Sequence, residues 1–279
     1  MTAFSYQLVN VFAESRWGGN PLAVFTDAAR LCDADMQAMA RQFNLSETVF
    51  VLPGTDACAA ALRIFTPALE LPFAGHPLLG SAAVLQQLLG LPAHFKLNTR
   101  AGEIAIREQE GIYRLCARPA THRATGLDWA TAAAMLGLEG SDICGEPVWV
   151  NAGSEQLLIR AASREAVLAA KPDPLLFAAG ATLFPGRSVA YLWHAADTVA
   201  TVRLFYAQGG AVLEDPGTGS ACANLGAWCA EAGMAPLSWR VLQGEAIGRP
   251  NILYLDVDGA GQVEVGGRVQ MMGQGVFYA

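Results

Sequence analysis

Charge vanishes from this chain in two places: there is no Asp, Glu, Lys or Arg from His76 to Leu91, nor from Gly217 to Ala230. A soluble amphipathic helix keeps one charged face, so a helix uncharged all round is expected to be buried all round. Stop signals follow each stretch, Gly90 before Pro92 and Glu231 before Gly233. Between them run short β segments: Tyr6–Phe12, Ala23–Phe25, Thr48–Leu52, Ala59–Phe65, Glu103–Arg107, Ile112–Arg118, Val148–Val150, Gln156–Ile159, Val189–Trp193, Val199–Phe205, Ile252–Val257 and Gln262–Val269. Many alternate apolar and polar residues, as half-buried antiparallel strands do. Helical spacing of Met36, Met39, Ala40 and Phe43 predicts a surface helix over Asp33–Phe43, and weaker patterns fall at Asp128–Leu136 and Glu165–Ala170. The class is α+β with curled, mostly antiparallel sheets, and two buried helices each enclosed by its own sheet.

Each uncharged stretch is entered through a similar turn. Glu70-Leu-Pro-Phe-Ala-Gly-His-Pro leads into the first, and Glu214-Asp-Pro-Gly-Thr-Gly-Ser-Ala into the second. An acidic residue, a Gly/Pro turn and a helix start place backbone N–H groups where an anion can be held. A second shared phrase, Gly19-Asn-Pro-Leu-Ala-Val-Phe and Gly248-Arg-Pro-Asn-Ile-Leu-Tyr, is read as support for a duplication in which Gly-x-Pro opens a strand. Length agrees, since 279 residues is about two domains at roughly 150 residues each. The expected division is 1–121 and 122–279, with a linker at His122–Asp128 and the last strand crossing back to the first domain.

Composition narrows the partners. The chain is 53% hydrophobic and 15% charged, with a formal net charge of −7. With no Lys/Arg run, that balance argues against nucleic acid or an anionic membrane and favours a small substrate. The uncharged span Leu71–Phe95 contains three prolines, three glycines, two histidines and Gln86-Gln87. Those groups are costly in hydrocarbon, so a membrane span is not expected. No basic, apolar leader is evident at the N-terminus. Six cysteines without a Cys-x-x-Cys fit a reduced, cytoplasmic interior better than a disulfide scaffold. No metal is expected, because no histidine has a second His or Cys at ligand spacing.

Taken alone, the candidate site residues each allow two readings. Glu47, in Asn44-Leu-Ser-Glu-Thr-Val-Phe-Val, is either a solvated carboxylate at a strand start or one aimed into a cleft, where a raised pKa lets it carry a proton both ways. His76 follows Gly75 at a helix start, where the dipole disfavours an imidazolium. It is either a satisfied core histidine or a neutral donor and acceptor beside a ligand. Asp215 and Ser220 read equally as a turn or cap residue and a first-turn helix residue. Gly219 lets backbone approach a ligand, and its N–H and that of Ser220 point out of the helix start. Asn20 and Arg249 either line the site or stabilise a turn and a surface. Glu70 and Glu214 are candidate partners for backbone amides at the turns.

These phrases, together with Arg63-Ile-Phe-Thr-Pro-Ala-Leu-Glu and Gln243-Gly-Glu-Ala-Ile-Gly-Arg-Pro, occur in an order that resembles the PhzF family of phenazine-biosynthesis-like isomerases and epimerases. The resemblance spans almost the whole chain. It implies the diaminopimelate epimerase fold, two similar domains each wrapped as an open barrel around a central helix, with the active site in the cleft between them. It further implies Glu47 as catalytic acid/base, with His76 and Asp215 in the site. Gly75, Gly219, Ser220 and Asn20 become substrate contacts, the Gly-Ser turn taking a carboxylate. No cofactor and a homodimer are expected. Relatives that racemise use a cysteine from each turn, but here those turns hold Ala74-Gly75 and Asp215-Pro216, and Cys222 reads as core packing. The resemblance therefore implies a one-base proton shift between carbons of a small carboxylated substrate, as in isomerisation of trans-2,3-dihydro-3-hydroxyanthranilate. An amino-acid epimerase or a non-catalytic binding protein is the alternative. Leu78, Gly217 and Asn251 depart from common family wording, where Thr, Ala or Val, and Ser stand.

Overall fold

The computed structural model describes residues 2–279. The chain divides into two units: residues 1–115 with 266–279, and residues 116–265.

In the first unit the strands are β1 (Ala3–Val11), β2 (Asn20–Phe25), β3 (Thr48–Pro53), β4 (Ala60–Phe65), β5 (Glu70–Leu71), β6 (His94–Thr99), β7 (Gly102–Gln109) and β8 (Ile112–Cys116). Helix α1 (Asp33–Phe43) precedes β3, and α2 (Gly75–Leu89) lies between β5 and β6. Strand pairing runs β1–β2 antiparallel, β2–β3 parallel, β3–β4 antiparallel, β4–β6 parallel, then β6–β7–β8 antiparallel. The C-terminal strand β18 (Val263–Tyr278) pairs with both β8 and β1, so the sheet closes on itself. A closed sheet leaves no strand edge exposed. Helix α2 packs on β1, β2 and β3.

The second unit contains β9 (Thr121–Ala124), α3 (Trp129–Met135), β10 (Val148–Asn151), β11 (Glu155–Arg160), α4 (Arg164–Ala169) and α5 (Pro174–Gly180). It continues through β12 (Thr182–Phe184), β13 (Arg187–Ala196), β14 (Val199–Gln208), β15 (Ala211–Asp215), α6 (Gly219–Glu231), β16 (Leu237–Gln243) and β17 (Asn251–Val257). Here β10–β11 is antiparallel, β11–β13 parallel, β13–β14 antiparallel, β14–β16 parallel and β16–β17 antiparallel. Helix α6 packs on β10, β11 and β17.

The two pairing orders are the same, strand for strand. β1, β2, β3, β4, β6 and β7 correspond to β10, β11, β13, β14, β16 and β17, and the hairpin partners β5 and β15 correspond on β4 and β14. In register, Phe65 lies opposite Glu70 and Phe205 opposite Glu214. This match aligns Glu70-Leu-Pro-Phe-Ala-Gly-His with Glu214-Asp-Pro-Gly-Thr-Gly-Ser without a gap. It does not align the two Gly-x-Pro phrases, which open β2 and β17, strands that are not counterparts. The shared Gly-x-Pro is therefore a recurring strand entry and no record of duplication.

The predicted helices form where charge is missing. Residues His76 to Leu85 of α2 are buried, but Leu88 and Leu89 are more than half exposed, so the last turn of α2 emerges from the sheet. Close packing is visible at two glycines. A Cβ on Gly80 would come within 2.6 Å of Leu22 and 2.8 Å of Val11, and one on Gly226 within 2.7 Å of both Leu255 and Val263. Real Cβ atoms do not approach that closely, so each helix lies against its sheet through a glycine. Helix α1 buries Met36, Met39 and Ala40 against an aromatic group in which Phe25 and Phe50 stack at 5.0 Å.

The expected linker at His122–Asp128 is overturned. Thr121–Ala124 is strand β9, paired antiparallel with Asn151–Val148, and Asp128 caps α3 by accepting the Thr131 N–H at 2.6 Å. The reason is non-local: the free edge of β10 recruits this polar segment, which has no alternation of its own to announce it. Strands β6 and β16 and helix α5 also go beyond the sequence pattern. Among the described residues no helix is long and apolar enough to cross a membrane.

Candidate active site

Glu47 sits in the loop between α1 and β3, its side chain 17% exposed. The helix ends at Asn44, which adopts the left-handed conformation (φ 52°), and the chain then enters β3 at Thr48. An Asn tolerates that backbone better than most residues. His76 is the second residue of α2 and is 6% exposed. Its Nδ1 lies 3.3 Å from Glu47 Oε2, while Nε2 is buried without a hydrogen-bond partner. Burial lowers the His76 pKa to about 3, opposed by the nearby Pro21 carbonyl. The ring is neutral at physiological pH, so its approach to Glu47 is that of an imidazole to a carboxylate and not an ion pair.

The turn before His76 is bare. Ala74 at the N-cap supplies no side-chain cap, and a Cβ added to Gly75 would meet nothing within 4 Å. The φ of Gly75 lies outside the left-handed region, so neither backbone strain nor packing requires glycine there. What glycine leaves is open space beside two helix-start amides that lack intrahelical acceptors.

The corresponding turn in the second unit is densely bonded. Thr218, the N-cap of α6, donates its hydroxyl to the Asp215 carboxylate. Gln243, 1% exposed, accepts the Thr218 N–H at 3.1 Å and donates to Thr218 Oγ1 and to the Asp215 carbonyl, both at 2.9 Å. Two residues on, the Ser220 hydroxyl accepts from Gln156 Nε2 at 3.1 Å. Gln156 in turn accepts from Asn224, which also binds the Val150 and Ser154 carbonyls at 2.8 Å and the Ala152 N–H at 2.8 Å. The start of α6 is thus tied to the β10–β11 hairpin on one side and to β16 on the other. Gly217 is buried, and a Cβ there would lie 2.7 Å from Asn251 Cγ. Two of the sequence's unusual residues are therefore in contact, the larger Asn251 filling space that Gly217 leaves.

Both turns rest on the same ionic support. Arg63 on β4 donates to both oxygens of Glu70 at 2.9 and 2.7 Å and lies 5.2 Å over the Phe65 ring. Arg203 on β14 binds Glu214 at 3.1 and 2.7 Å and lies 4.6 Å over Phe205. The two glutamates thus serve guanidinium groups, not the backbone amides of the turns. The repeat of Arg-x-Phe, Arg63-Ile-Phe and Arg203-Leu-Phe, is the sequence signal that could have found this pairing. Gln243 opens one of the family phrases, but nothing local ties it to Thr218, 25 residues away, and Gln156, 64 residues from Ser220, carries no local signal.

Asn20 opens β2 opposite Val11 and is 1% exposed. Gly19 before it has a φ of +84°, and a Cβ there would lie 2.7 Å from Ala13 Cβ, so its glycine is required by the chain's own packing. Cys222 is fully buried on α6, where burial raises its thiol well above the usual range. Cys229, near it on the same helix, is pushed up to about 12 for the same reason. No group of three His, Cys, Asp or Glu able to hold a metal occurs among the described residues.

A mostly antiparallel sheet against a buried helix, twice over in the same strand order and closed in the first unit, defines an epimerase-like fold with a carboxylate and a neutral histidine at the mouth of the first helix. The family model for phenazine biosynthesis-like proteins, PhzC-PhzF, matches residues 9–279, and the chain belongs to that family. An uncharacterised isomerase of Pasteurella multocida is 46% identical over 100% of this chain and 95% of its own length. The trans-2,3-dihydro-3-hydroxyanthranilate isomerase of Pseudomonas aeruginosa is 36% identical, covering 98% of this chain and 99% of its own. Among solved structures, a PhzF-family phenazine biosynthesis protein of Bacillus anthracis superposes with a TM-score of 0.87 at 22% identity, over the whole of both chains. A probable proline racemase of Agrobacterium radiobacter shares the fold with a TM-score of 0.62 at 12% identity, over 99% of this chain and 93% of its own. The fold is diaminopimelate epimerase-like, and the chain is an enzyme of the isomerase class.

Proposed function

We propose that the chain shifts a proton between carbons of a small carboxylated substrate, with Glu47 as the single acid/base and no cofactor. The observation that carries this reading is the buried approach of Glu47 to a neutral His76, 3.3 Å apart at the open start of α2. A carboxylate beside a neutral imidazole can take a proton from carbon and return it without first charging its neighbour. His76 then donates to the substrate or assists the relay through Nε2. Strand correspondence supports a single base: the position matching Glu47 in the second unit is Val189, which cannot carry a proton. Cys222 is a poor thiol base, being buried and held protonated.

On this reading the amides of Gly75, Gly219 and Ser220 take the substrate carboxylate at helix starts. Asp215 and Asn20 hold its polar groups. The relatives' named activity makes trans-2,3-dihydro-3-hydroxyanthranilate the first probe, and a homodimer in the cytoplasm the expected setting.

Incubation of that compound with the protein in deuterium oxide, followed by proton NMR, is the test. Wild type is expected to introduce deuterium at carbon, and Glu47→Gln to lower the rate about 10² to 10⁴-fold with the fold intact. A Glu47→Gln protein that exchanges at the wild-type rate rejects Glu47 as the base. A wild type inert on this compound but active on amino acids would move the reading to an epimerase.

A further inference from the structure

Buried at the end of β16, Gln243 makes three hydrogen bonds, all to the turn before α6. The amide's two N–H groups go to the Asp215 carbonyl and to Thr218 Oγ1, and its oxygen takes the Thr218 N–H. A primary amide has two donors on nitrogen and one acceptor oxygen, and here every one is engaged on that turn. This has a consequence for the Thr218 hydroxyl. With Oγ1 already accepting from Gln243, its single proton is directed at the remaining neighbour, Asp215 Oδ2. Thr218 makes no side-chain cap to α6, although Thr at an N-cap usually does. Its hydroxyl serves the aspartate instead. In the first turn the matching residue is Ala74, and the residue matching Asp215 is Leu71, so the relay has no counterpart there.

We infer that Gln243 is a positioning residue that, through the Thr218 hydroxyl, orients the Asp215 carboxylate and keeps it a hydrogen-bond acceptor. The value of the relay to catalysis rests on the reading that Asp215 binds substrate. Its existence does not. An O–H donated to a carboxylate favours the ionised form and fixes the direction of the oxygen that receives it. Burial of Gln243 makes the arrangement rigid, since an unsatisfied amide there is costly and no alternative partner is offered.

The test follows the Asp215 carboxyl by ¹³C NMR titration of the full chain, with assignment by Asp215→Asn. Thr218→Val and Gln243→Leu are expected to raise the titration midpoint by about one pH unit, and Thr218→Ser to restore it. Gln243→Glu keeps the length of the side chain but supplies an acceptor where the donor stood. It should draw the Thr218 proton away and produce the same upward shift. With the dihydroanthranilate probe, Thr218→Val and Gln243→Leu are expected to raise KM about tenfold while kcat changes less than about threefold, and Thr218→Ser to recover KM. An unchanged midpoint in Thr218→Val overturns the inference. So does a midpoint that moves in Thr218→Val yet stays put in both Gln243 variants. Should Gln243→Leu fail to fold, Gln243→Glu and the Val/Ser pair at Thr218 decide. Failure of Glu47→Gln to slow exchange rejects the proposed chemistry and leaves the titration result standing.

Discussion

The turn before α2 and the turn before α6 occupy the same place in the same strand order, and differ in what they do with it. Both follow a β-hairpin held by an Arg–Glu pair with the guanidinium over a Phe, and both enter a buried helix through Gly75 or Gly219. Within that frame Leu71 answers to Asp215, Phe73 to Gly217, Ala74 to Thr218 and His76 to Ser220. The first turn carries a neutral base partner beside Glu47 and almost no hydrogen bonds of its own. The second carries the Asp215 carboxylate and is laced to the β10–β11 hairpin and to β16 by Gln156, Asn224 and Gln243. On the proposed function, one strand order used twice carries a part for chemistry and a part for holding. The two differ at these four turn positions and at Glu47, answered by Val189, without a change in backbone topology.

The largest way to break the comparison is at its shared support. Arg203 and Glu214 have side chains 11% and 6% exposed, and Arg203 also donates to the Val167, Leu168 and Ala170 carbonyls. Removing it by Arg203→Ala strands a buried carboxylate, and a loss of about 3–5 kcal/mol is expected in urea unfolding. Arg63→Ala should cost less, about 1–3 kcal/mol, because Glu70 keeps Arg100 at 2.9 Å. Equal losses would show that the two supports are energetically alike in spite of their different burial.

A middle-sized effect belongs to the first turn only. His76 is ordinarily half protonated near pH 6.5, but burial holds it neutral down to about 3. The unfolded chain thus binds a proton that the folded chain refuses. This contribution to stability is complete above about pH 6.5 and is lost as pH falls toward 3, by up to about 1.4 kcal/mol per pH unit. Urea midpoints measured from pH 7 to 5 should decline in wild type, and His76→Gln should flatten that decline. An identical slope in both proteins would mean that the ring is free to protonate in place.

The smallest effect on stability sharpens the comparison most. A Cβ on Gly75 meets nothing, and alanine favours a helix over glycine, so Gly75→Ala should leave thermal stability unchanged or slightly raised. Its loss should appear in turnover of the carboxylated probe, where the added methyl occupies the space proposed for substrate. Normal kinetics in Gly75→Ala would remove that amide from the list of ligand contacts.

Much of this was legible in the chain. Missing charge marked α2 and α6 to within two residues of their starts, because a helix with no polar face has nowhere to go but inside. The spacing of Met36, Met39, Ala40 and Phe43 gave α1 its bounds. Strand β9 was read as a linker, and β6 and β16 left no prediction. Their backbones are held by pairing with β10, β4 and β14, and a partner distant in sequence writes nothing into the strand it recruits. At the site, motif order identified Glu47, His76 and the Gly-Ser turn as candidates. It misread Glu70 and Glu214, whose partners lie across a hairpin.

What the sequence determined by itself was the family, the two buried helices and the residues at their mouths, since these depend on local composition and on short motifs in order. Only the tertiary structure decided that the Gly-x-Pro phrases are not equivalent, that Asn251 fills the space Gly217 leaves, and that Gln243 governs the turn carrying Asp215. Those facts depend on which strands lie side by side. Hydrogen bonds and steric contacts act over a few ångströms of space, whatever number of residues separates the groups that make them.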